Sequence, residues 1–257
     1  DKDDPDSDDD GLPDGYEVNV VESNPLLNDT DSDGLEDIVE WNLTNTQPNN
    51  PDSDSDGLSD GAENNTHNTD PNNWDSDGDL LNDYAEIFTY STDPNNEDTD
   101  DEGIEDGQEI NIYISNPNDN DTDDYGIIDG IEVDNYGTNP IKSDTDDDGI
   151  DDHDEIFTYS TNPTNSDTDD DGLTDYSEIF NHGTDPLLPD TDEDELNDGL
   201  EITIGINPLA SDSDSDGLND TWEYNRISQG YNYSPGNNDT DGDGLEDGDE
   251  DLDTDGL

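Results

Sequence analysis

Apolar side chains in this sequence come singly and on a fixed step. A Leu or Ile closes an acidic tract at Leu12, Leu35, Leu58, Leu81, Ile104, Ile127, Ile150, Leu173, Leu196, Leu218 and Leu245, and five residues after each stands a Glu. An apolar residue usually follows that Glu (Val18, Trp41, Ile87, Ile110, Val133, Ile156, Ile179, Ile202), and a Tyr or His often comes three residues later (His67, Tyr90, Tyr113, Tyr136, Tyr159, His182). Then come Ser/Thr, Asn/Asp and Pro, with the Pro present in ten units from Pro25 to Pro235. Pro holds the residue before it in extended geometry and blocks helix continuation. Each unit is therefore predicted to be a loop, about one helical turn beginning two residues after the Leu or Ile, an extended return and a turn.

Numbered from its first acid, the unit reads D-x-D-x-D-G-L/I-x-D-x-x-E and starts at Asp6, Asp29, Asp52, Asp75, Asp98, Asp121, Asp144, Asp167, Asp190, Asp212 and Asp239. The first nine starts are 23 residues apart, the next step is 22 and the last is 27. Such register marks a repeat architecture. The fold class read from it is an irregular, solenoid-like, elongated array of loops with little regular secondary structure. It comprises ten tandem repeats over 1–223, a Tyr- and Asn-rich insert over 224–238, and an eleventh loop with the truncated start of a twelfth over 239–257.

Composition at first opposes any fold. The 257 residues hold 80 Asp+Glu against 3 Lys+Arg, a net charge of −77, and only 23% are hydrophobic. That profile is one of disorder, yet a disordered acidic tract has no reason to keep Leu/Ile and Glu in register eleven times. The charge excludes attraction to nucleic acid or an anionic membrane. No apolar run reaches the ~18–20 residues of a membrane span, and no signal peptide is present. Without Cys there is neither a disulfide framework nor a thiolate metal site.

The acids have a spacing that suits calcium. Side chains at positions 1, 3, 5, 9 and 12 converge on one point if the chain bends tightly at position 6, and position 7 adds its carbonyl; this is the EF-hand ligand arrangement. The candidate ligands are Asp6, Asp8, Asp10, Asp14 and Glu17 in loop one; Asp29, Asp31, Asp33, Asp37 and Glu40 in loop two; Asp52, Asp54, Asp56, Asp60 and Glu63 in loop three; and Asp75, Asp77, Asp79, Asp83 and Glu86 in loop four. Loop five offers Asp98, Asp100, Glu102, Asp106 and Glu109, loop six Asp121, Asp123, Asp129 and Glu132, loop seven Asp144, Asp146, Asp148, Asp152 and Glu155, and loop eight Asp167, Asp169, Asp171, Asp175 and Glu178. Asp190, Asp192, Asp194, Asp198 and Glu201 serve loop nine, Asp212, Asp214, Asp216, Asp220 and Glu223 loop ten, and Asp239, Asp241, Asp243, Asp247 and Glu250 loop eleven. In loop six Tyr125 replaces the position-5 acid, which predicts a weaker site. Leu80 and Glu195 replace the position-6 Gly in loops four and nine, so strain or an altered bend is expected there, eased in loop four by Gly78.

Two carboxylates ~5 Å apart at an effective dielectric of ~20 repel by roughly 3 kcal/mol, whereas burying one Leu returns about 2–3 kcal/mol. Ten such pairs in a loop of five acids overwhelm two or three apolar residues per repeat, so a cation must hold the loop together. The expected ligand is Ca²⁺, one or more per repeat, with a calcium-free chain that is largely disordered. Mg²⁺ prefers to keep several waters, and Zn²⁺ lacks ligands in a chain with three His.

The repeats resemble the thrombospondin type-3 repeat family, and in particular its bacterial and archaeal version with Leu/Ile at position 7 and a T-N/D-P turn. Asp144-Thr145-Asp146-Asp147-Asp148-Gly149-Ile150-Asp151-Asp152 and Asp167-Thr168-Asp169-Asp170-Asp171-Gly172-Leu173-Thr174-Asp175 carry the motif well. The resemblance implies calcium loops whose ions form much of the interior of an elongated extracellular array.

Two function classes follow: a calcium-stiffened rod, filament or surface stalk that self-associates or continues a longer chain, and a calcium-dependent adhesion module presenting a face to carbohydrate, mineral or another cell. The abrupt stop after position 7 of a twelfth loop at Leu257 reads as a stretch of a longer chain or a polymer seam. No nucleophile or apolar pocket marks an enzyme. The Tyr/His column reads as packing between repeats, and the insert as the one irregular place for a partner. Seven sequons (Asn28, Asn42, Asn64, Asn120, Asn219, Asn232, Asn238) would accept N-linked glycans on a secreted chain. Extracellular sites of this kind bind with Kd of roughly 10⁻⁴–10⁻³ M, so they fill outside the cell and stay empty inside. One Ca²⁺ in each of eleven loops leaves −55 of the −77, which predicts second ions shared between loops, using position 1 and the Asn/Asp before Pro.

Overall fold

The computed structural model describes residues 5–249; residues 1–4, Glu250 and the start of a twelfth loop at 251–257 lie outside the described residues. The chain divides into two units, Asp1–Asn135 with Asn139–Ile141, and Tyr136–Thr138 with Lys142–Leu257.

In the first unit, α1 (Asp14–Tyr16), α2 (Asp37–Val39), α3 (Asp60–Ala62), α4 (Asp83–Ala85), α5 (Asp106–Gln108) and α6 (Asp129–Ile131) each start at loop position 9. Each of the first five runs directly into a five-residue π turn: Glu17–Val21, Glu40–Thr44, Glu63–His67, Glu86–Tyr90 and Glu109–Tyr113. The second unit repeats this at α7 (Asp152–Asp154) with Glu155–Tyr159, and at α8 (Asp175–Ser177) with Glu178–His182. It continues with α9 (Asp198–Ile204), α10 (Asp220–Ser228) and a 3₁₀ turn, Asp247–Asp249. No strand occurs among the described residues, and no helix there is long and apolar enough to cross a membrane.

Position 8 starts these helices. Ser59, Asn82, Asp151, Thr174, Asn197 and Asn219 stand in extended geometry and accept a hydrogen bond from the N–H three residues on, the N-cap arrangement. The helices are longer than the single turn predicted, because the chain widens after position 12. The N–H of Glu22 bonds the Glu17 carbonyl at 2.7 Å, an i to i+5 closure made in the left-handed region at φ 66°. The 22-residue repeat supplies the control. In α9 the missing residue removes the widening, and Gly205 N–H bonds the Glu201 carbonyl four residues back at 2.8 Å. The extra residue of a 23-residue repeat is thus absorbed as a π bulge.

Apolar burial is thin, as the singly spaced pattern requires. Position 7 is buried at Leu12, Leu35, Leu58, Leu81, Ile104, Ile127, Ile150 and Leu196, and every repeat Pro from Pro48 to Pro235 packs inside. Much of the remaining interior is acidic: Glu17, Glu40, Glu63, Glu86, Glu109, Glu155, Glu178, Glu201 and Glu223 are all 0% exposed. The position-6 bend survives where Gly is replaced. Leu80 and Glu195 adopt φ of 80° and 79°, left-handed geometry that costs a side-chain-bearing residue of order 1–3 kcal/mol.

Candidate metal centre

The loops share one scheme for their carboxylates, with departures at position 5 of loops one and six. The position-1 acid ties the bend: Asp29 Oδ1 accepts from Ser32 N–H at 2.7 Å and its Oδ2 from Gly34 N–H at 3.2 Å. The position-3 acid accepts from position 5, as Asp31 does from Asp33 N–H at 3.2 Å. The position-5 acid accepts from position 7 with one oxygen, Asp33 from Leu35 N–H at 2.8 Å. Where a position-5 acid reaches across, its other oxygen accepts from a backbone N–H in the next repeat, Asp33 from Gly61 at 2.6 Å and Asp79 from Gly107 at 2.7 Å. Asp171 with Gly199 does the same in the second unit, at 2.7 Å. Oδ2 of Asp10 in loop one has no such partner. A Cβ at Gly107 or Gly61 would overlap the carbonyl of that preceding acid, so Gly at position 10 permits the close approach.

Position 9 has a role that spacing alone did not show. Asp37 is 0% exposed and takes Thr30 N–H at 2.8 Å and Thr30 Oγ1–H at 2.7 Å, one on each oxygen. Asp60 with Ser53, Asp83 with Ser76, Asp175 with Thr168 and Asp220 with Ser213 repeat the clamp. Its two oxygens are thus engaged in closing the loop, which suits a ligand that reaches its ion through water, as position 9 of such loops often does. The signal was present in the sequence, because position 2 is Ser or Thr in all eleven loops.

At position 12, one Glu oxygen accepts from the Ser/Thr of the T-N/D-P turn: Glu17 from Ser23 at 3.1 Å, Glu63 from Thr69 at 3.1 Å and Glu109 from Ser115 at 3.0 Å. The other oxygen has no partner. Oε2 of Glu17, Glu40, Glu63, Glu86, Glu109, Glu155 and Glu178 is buried without a hydrogen bond, as are both oxygens of Glu201 and Glu223, whose repeats lack that hydroxyl. The same holds for Oδ2 of Asp8, Asp31, Asp54, Asp77, Asp146, Asp169, Asp192 and Asp214 at position 3. Positions 3 and 12 therefore present orphaned anionic oxygens in repeat after repeat, which buried polar groups do not tolerate without a partner.

Burial, reinforced by the neighbouring carboxylates, pushes Glu40, Glu63, Glu86, Glu155, Glu178, Glu201 and Glu223 up to about 8. Burial likewise lifts Asp31, Asp54, Asp77, Asp146, Asp169, Asp192 and Asp214 to about 6. Burial together with mutual repulsion thus disfavours ionisation of all these acids at once.

Ligand atoms of Asp6, Asp8 and Asp10 lie within 4.8 Å of one another, as do those of Asp29, Asp31 and Asp33 and of Asp52, Asp54 and Asp56. A second kind of group spans two loops: Asp10 and Glu17 of loop one with Asp37, position 9 of loop two, also within 4.8 Å. The cross-loop group thus differs from the expected one. The Asn/Asp before Pro shapes its own turn, as where Asp70 Oδ1 accepts from Asn72 N–H at 3.1 Å. Oxygen donors alone, in this number and with orphaned lone pairs, fit a hard cation of the calcium type. In loop six Tyr125 is 53% exposed and offers no carboxylate.

The loops and their connecting helices define an array of acidic-loop repeats. Four segments, residues 6–28, 52–73, 121–143 and 167–189, match the model of the family described as "Bacterial TSP3 repeat". At these four positions the repeats are thrombospondin type-3 repeats of the bacterial kind. No curated protein matches the chain. Among solved structures, "Biofilm associated protein - B domain" is similar at 42% identity over 18% of this chain, with a TM-score of 0.17. "Biofilm associated protein - BSP domain" is similar at 42% identity over 17%, also with a TM-score of 0.17. The matches span 11% and 7% of the length of those two solved chains.

Proposed function

We propose that this is a calcium-ordered structural repeat protein of the cell exterior, a rod or stalk segment whose interior is supplied by bound Ca²⁺ in EF-hand-like loops. The observation that carries the reading is the pair of buried, partnerless carboxylate oxygens at positions 3 and 12. Calcium supplies the charge that lets these oxygens stay ionised and buried together. The chain's own residues do the rest: positions 1 and 5 fix the bend, position 2 with position 9 closes the loop, and the turn hydroxyl aims position 12. No catalytic role is assigned. The cross-loop group of Asp10, Glu17 and Asp37 supports more than one ion per repeat.

Small-angle scattering and circular dichroism during a Ca²⁺ titration test the proposal. The chain should compact and gain helical signal in millimolar Ca²⁺, return on chelation, and respond far less to Mg²⁺. A chain whose scattering and dichroism are the same with and without Ca²⁺ would refute it. Metal analysis of the saturated chain should exceed one ion per loop; one or fewer would reject the cross-loop ion alone.

A further inference from the structure

The protein has three Phe, and all three occupy position 14 of a repeat: Phe88, Phe157 and Phe180. Each is more than half exposed, at 60%, 60% and 54%. Each is also held by two other rings in one recurring geometry. Tyr84 lies 4.9 Å from Phe88, tilted by 46°, and His67 of the preceding repeat meets it edge-on at 6.4 Å. In the second unit, His153 and Tyr136 hold Phe157 at 4.8 and 6.5 Å, and Tyr176 and Tyr159 hold Phe180 at 4.8 and 6.1 Å.

Packing between repeats explains the flanking rings but not the Phe. Elsewhere position 14 is Asn19, Asn42, Asn65, Asn111, Asp134, Thr203, Asn225 or Leu252, so the repeat does without a ring there. The residue after each Phe is an exposed hydrogen-bonding one: Thr89, Thr158 and Asn181. In the second unit the triads occupy consecutive repeats. Directly beyond them a cavity of about 470 Å³ opens on Asn181 and His182 and is lined further by Asn207 and Ser213.

We propose that these ring triads are stacking platforms for a neutral polysaccharide. A ring fixed by two neighbours offers a preset apolar face to the C–H face of a sugar, and the adjacent Thr or Asn takes its hydroxyls. Charge selects the occupant. With −77 on the chain, and −55 even with one Ca²⁺ in each of eleven loops, nucleic acid, an acidic glycan and a second copy of this chain all meet repulsion. A neutral glycan does not. Platforms repeated along the chain bind a polymer more tightly than a single sugar through effective concentration. The proposal rests on calcium-ordered repeats, since only an ordered chain sets the triads.

The test is native gel retardation of the calcium-loaded full chain by laminarin, xyloglucan and galactomannan, with alginate and polygalacturonate as acidic counterparts. At least one neutral polymer should retard the parent. Combined Phe157→Asn and Phe180→Asn, which install the residue that other repeats already carry there, should weaken retardation at least tenfold. Phe→Trp at both sites should retain it. Variants should keep the parent's calcium-induced dichroism, so loss of glycan binding with calcium ordering intact is read separately from failure of the calcium reading. Retardation by none of the neutral polymers, retardation only by the acidic ones, or a double variant that binds like the parent would overturn the proposal. So would sedimentation showing that the parent self-associates through these Phe and the variant does not.

Discussion

Replacing Thr92 by Val removes one hydroxyl and keeps the side chain's shape. Thr92 is 7% exposed, and its Oγ1 donates to Oε1 of Glu86 at 3.3 Å. Glu86 is fully buried, and its second oxygen has no partner, so the substitution leaves the whole carboxylate without a hydrogen bond that aims it. A hydrogen bond to an ionised group contributes about 1.5–3 kcal/mol. At 3.3 Å the lower figure applies, which corresponds to about tenfold in the calcium affinity of loop four. Outer-shell partners of metal ligands give losses of the same order. Trp74 provides a local reporter, because its carbonyl accepts from Asp83 N–H of that loop at 3.2 Å. With Trp41 and Trp222 changed to Phe, Trp74 is the remaining Trp of the three, and terbium luminescence excited through it reads loop four. Thr92→Val should move the calcium competition midpoint of that signal to about tenfold higher concentration, while Thr92→Ser leaves it in place. A Val variant within twofold of the reference, or a Ser variant as weak as Val, would refute the aiming role.

Ile114 is a β-branched residue at φ 63°, where its equivalents include Asn68 and Gly183; Ile114→Gly should stabilise the calcium-loaded chain by about 1 kcal/mol, read as a higher urea midpoint, and an unchanged or lower midpoint would count against the strain. Tyr125→Asp restores the position-5 acid of loop six without removing a core residue, since Tyr125 is 53% exposed; the weakest phase of a calorimetric calcium titration should tighten, and persistence of that phase would show that loop six is not the weak site. The position-12 Glu residues rise from the ordinary carboxylate range to about 8 by burial, as at Glu63 and Glu155. Their raised values stabilise the metal-free fold fully below the unfolded pKa of ~4.3, and that contribution is lost progressively as pH rises from there through about 8. In chelator the chain should therefore be more compact at pH 4 than at pH 8, while calcium midpoints weaken as pH falls from 8 to 5; equal scattering radii in chelator at both pH values would contradict the linkage.

The loop was legible in the sequence because each of its acids has a fixed offset from a Gly and a Leu or Ile, and the burial of Leu12, Leu58 and Ile150 follows that pattern. Helix starts were legible for the same reason, from position 9. Helix length was not. The π turn depends on where the chain exits, and the residues at that exit are as varied as Glu22, Asn45, Ser91 and Ile114. Composition gave no cue there, although the 22-residue repeat at Asp190 marked where the bulge is absent. The division of labour among carboxylates was hidden too, since Asp37 and Asp31 look alike in the motif but one closes the loop through Thr30 and the other keeps an orphaned oxygen. The constant Ser/Thr at position 2 was the available clue, and its meaning required geometry.

This division of labour couples several repeats to the next within each unit. Asp56 takes the Leu58 N–H at 2.6 Å within its own loop and the Tyr84 N–H at 3.1 Å in the following helix, so one carboxylate fixes both a metal loop and the first turn of its neighbour. In return, Asp83 of the following loop is among the charges that raise Glu63. An ion in loop three would thus relieve repulsion that loop four contributes, and the ordering of loop four would bring a charge back to loop three. Where the link is present, one loop's order would depend in part on its neighbour's. Stability then resides in neighbour pairs, as in other linear repeats, except that the link here is a carboxylate held between two loops and not an apolar contact. That explains why outward positions vary from Asn19 to Phe88 while the acid at position 5 changes type only at Glu102 and Tyr125. Glu102 still reaches Gly130 N–H, which preserves the link with a longer side chain.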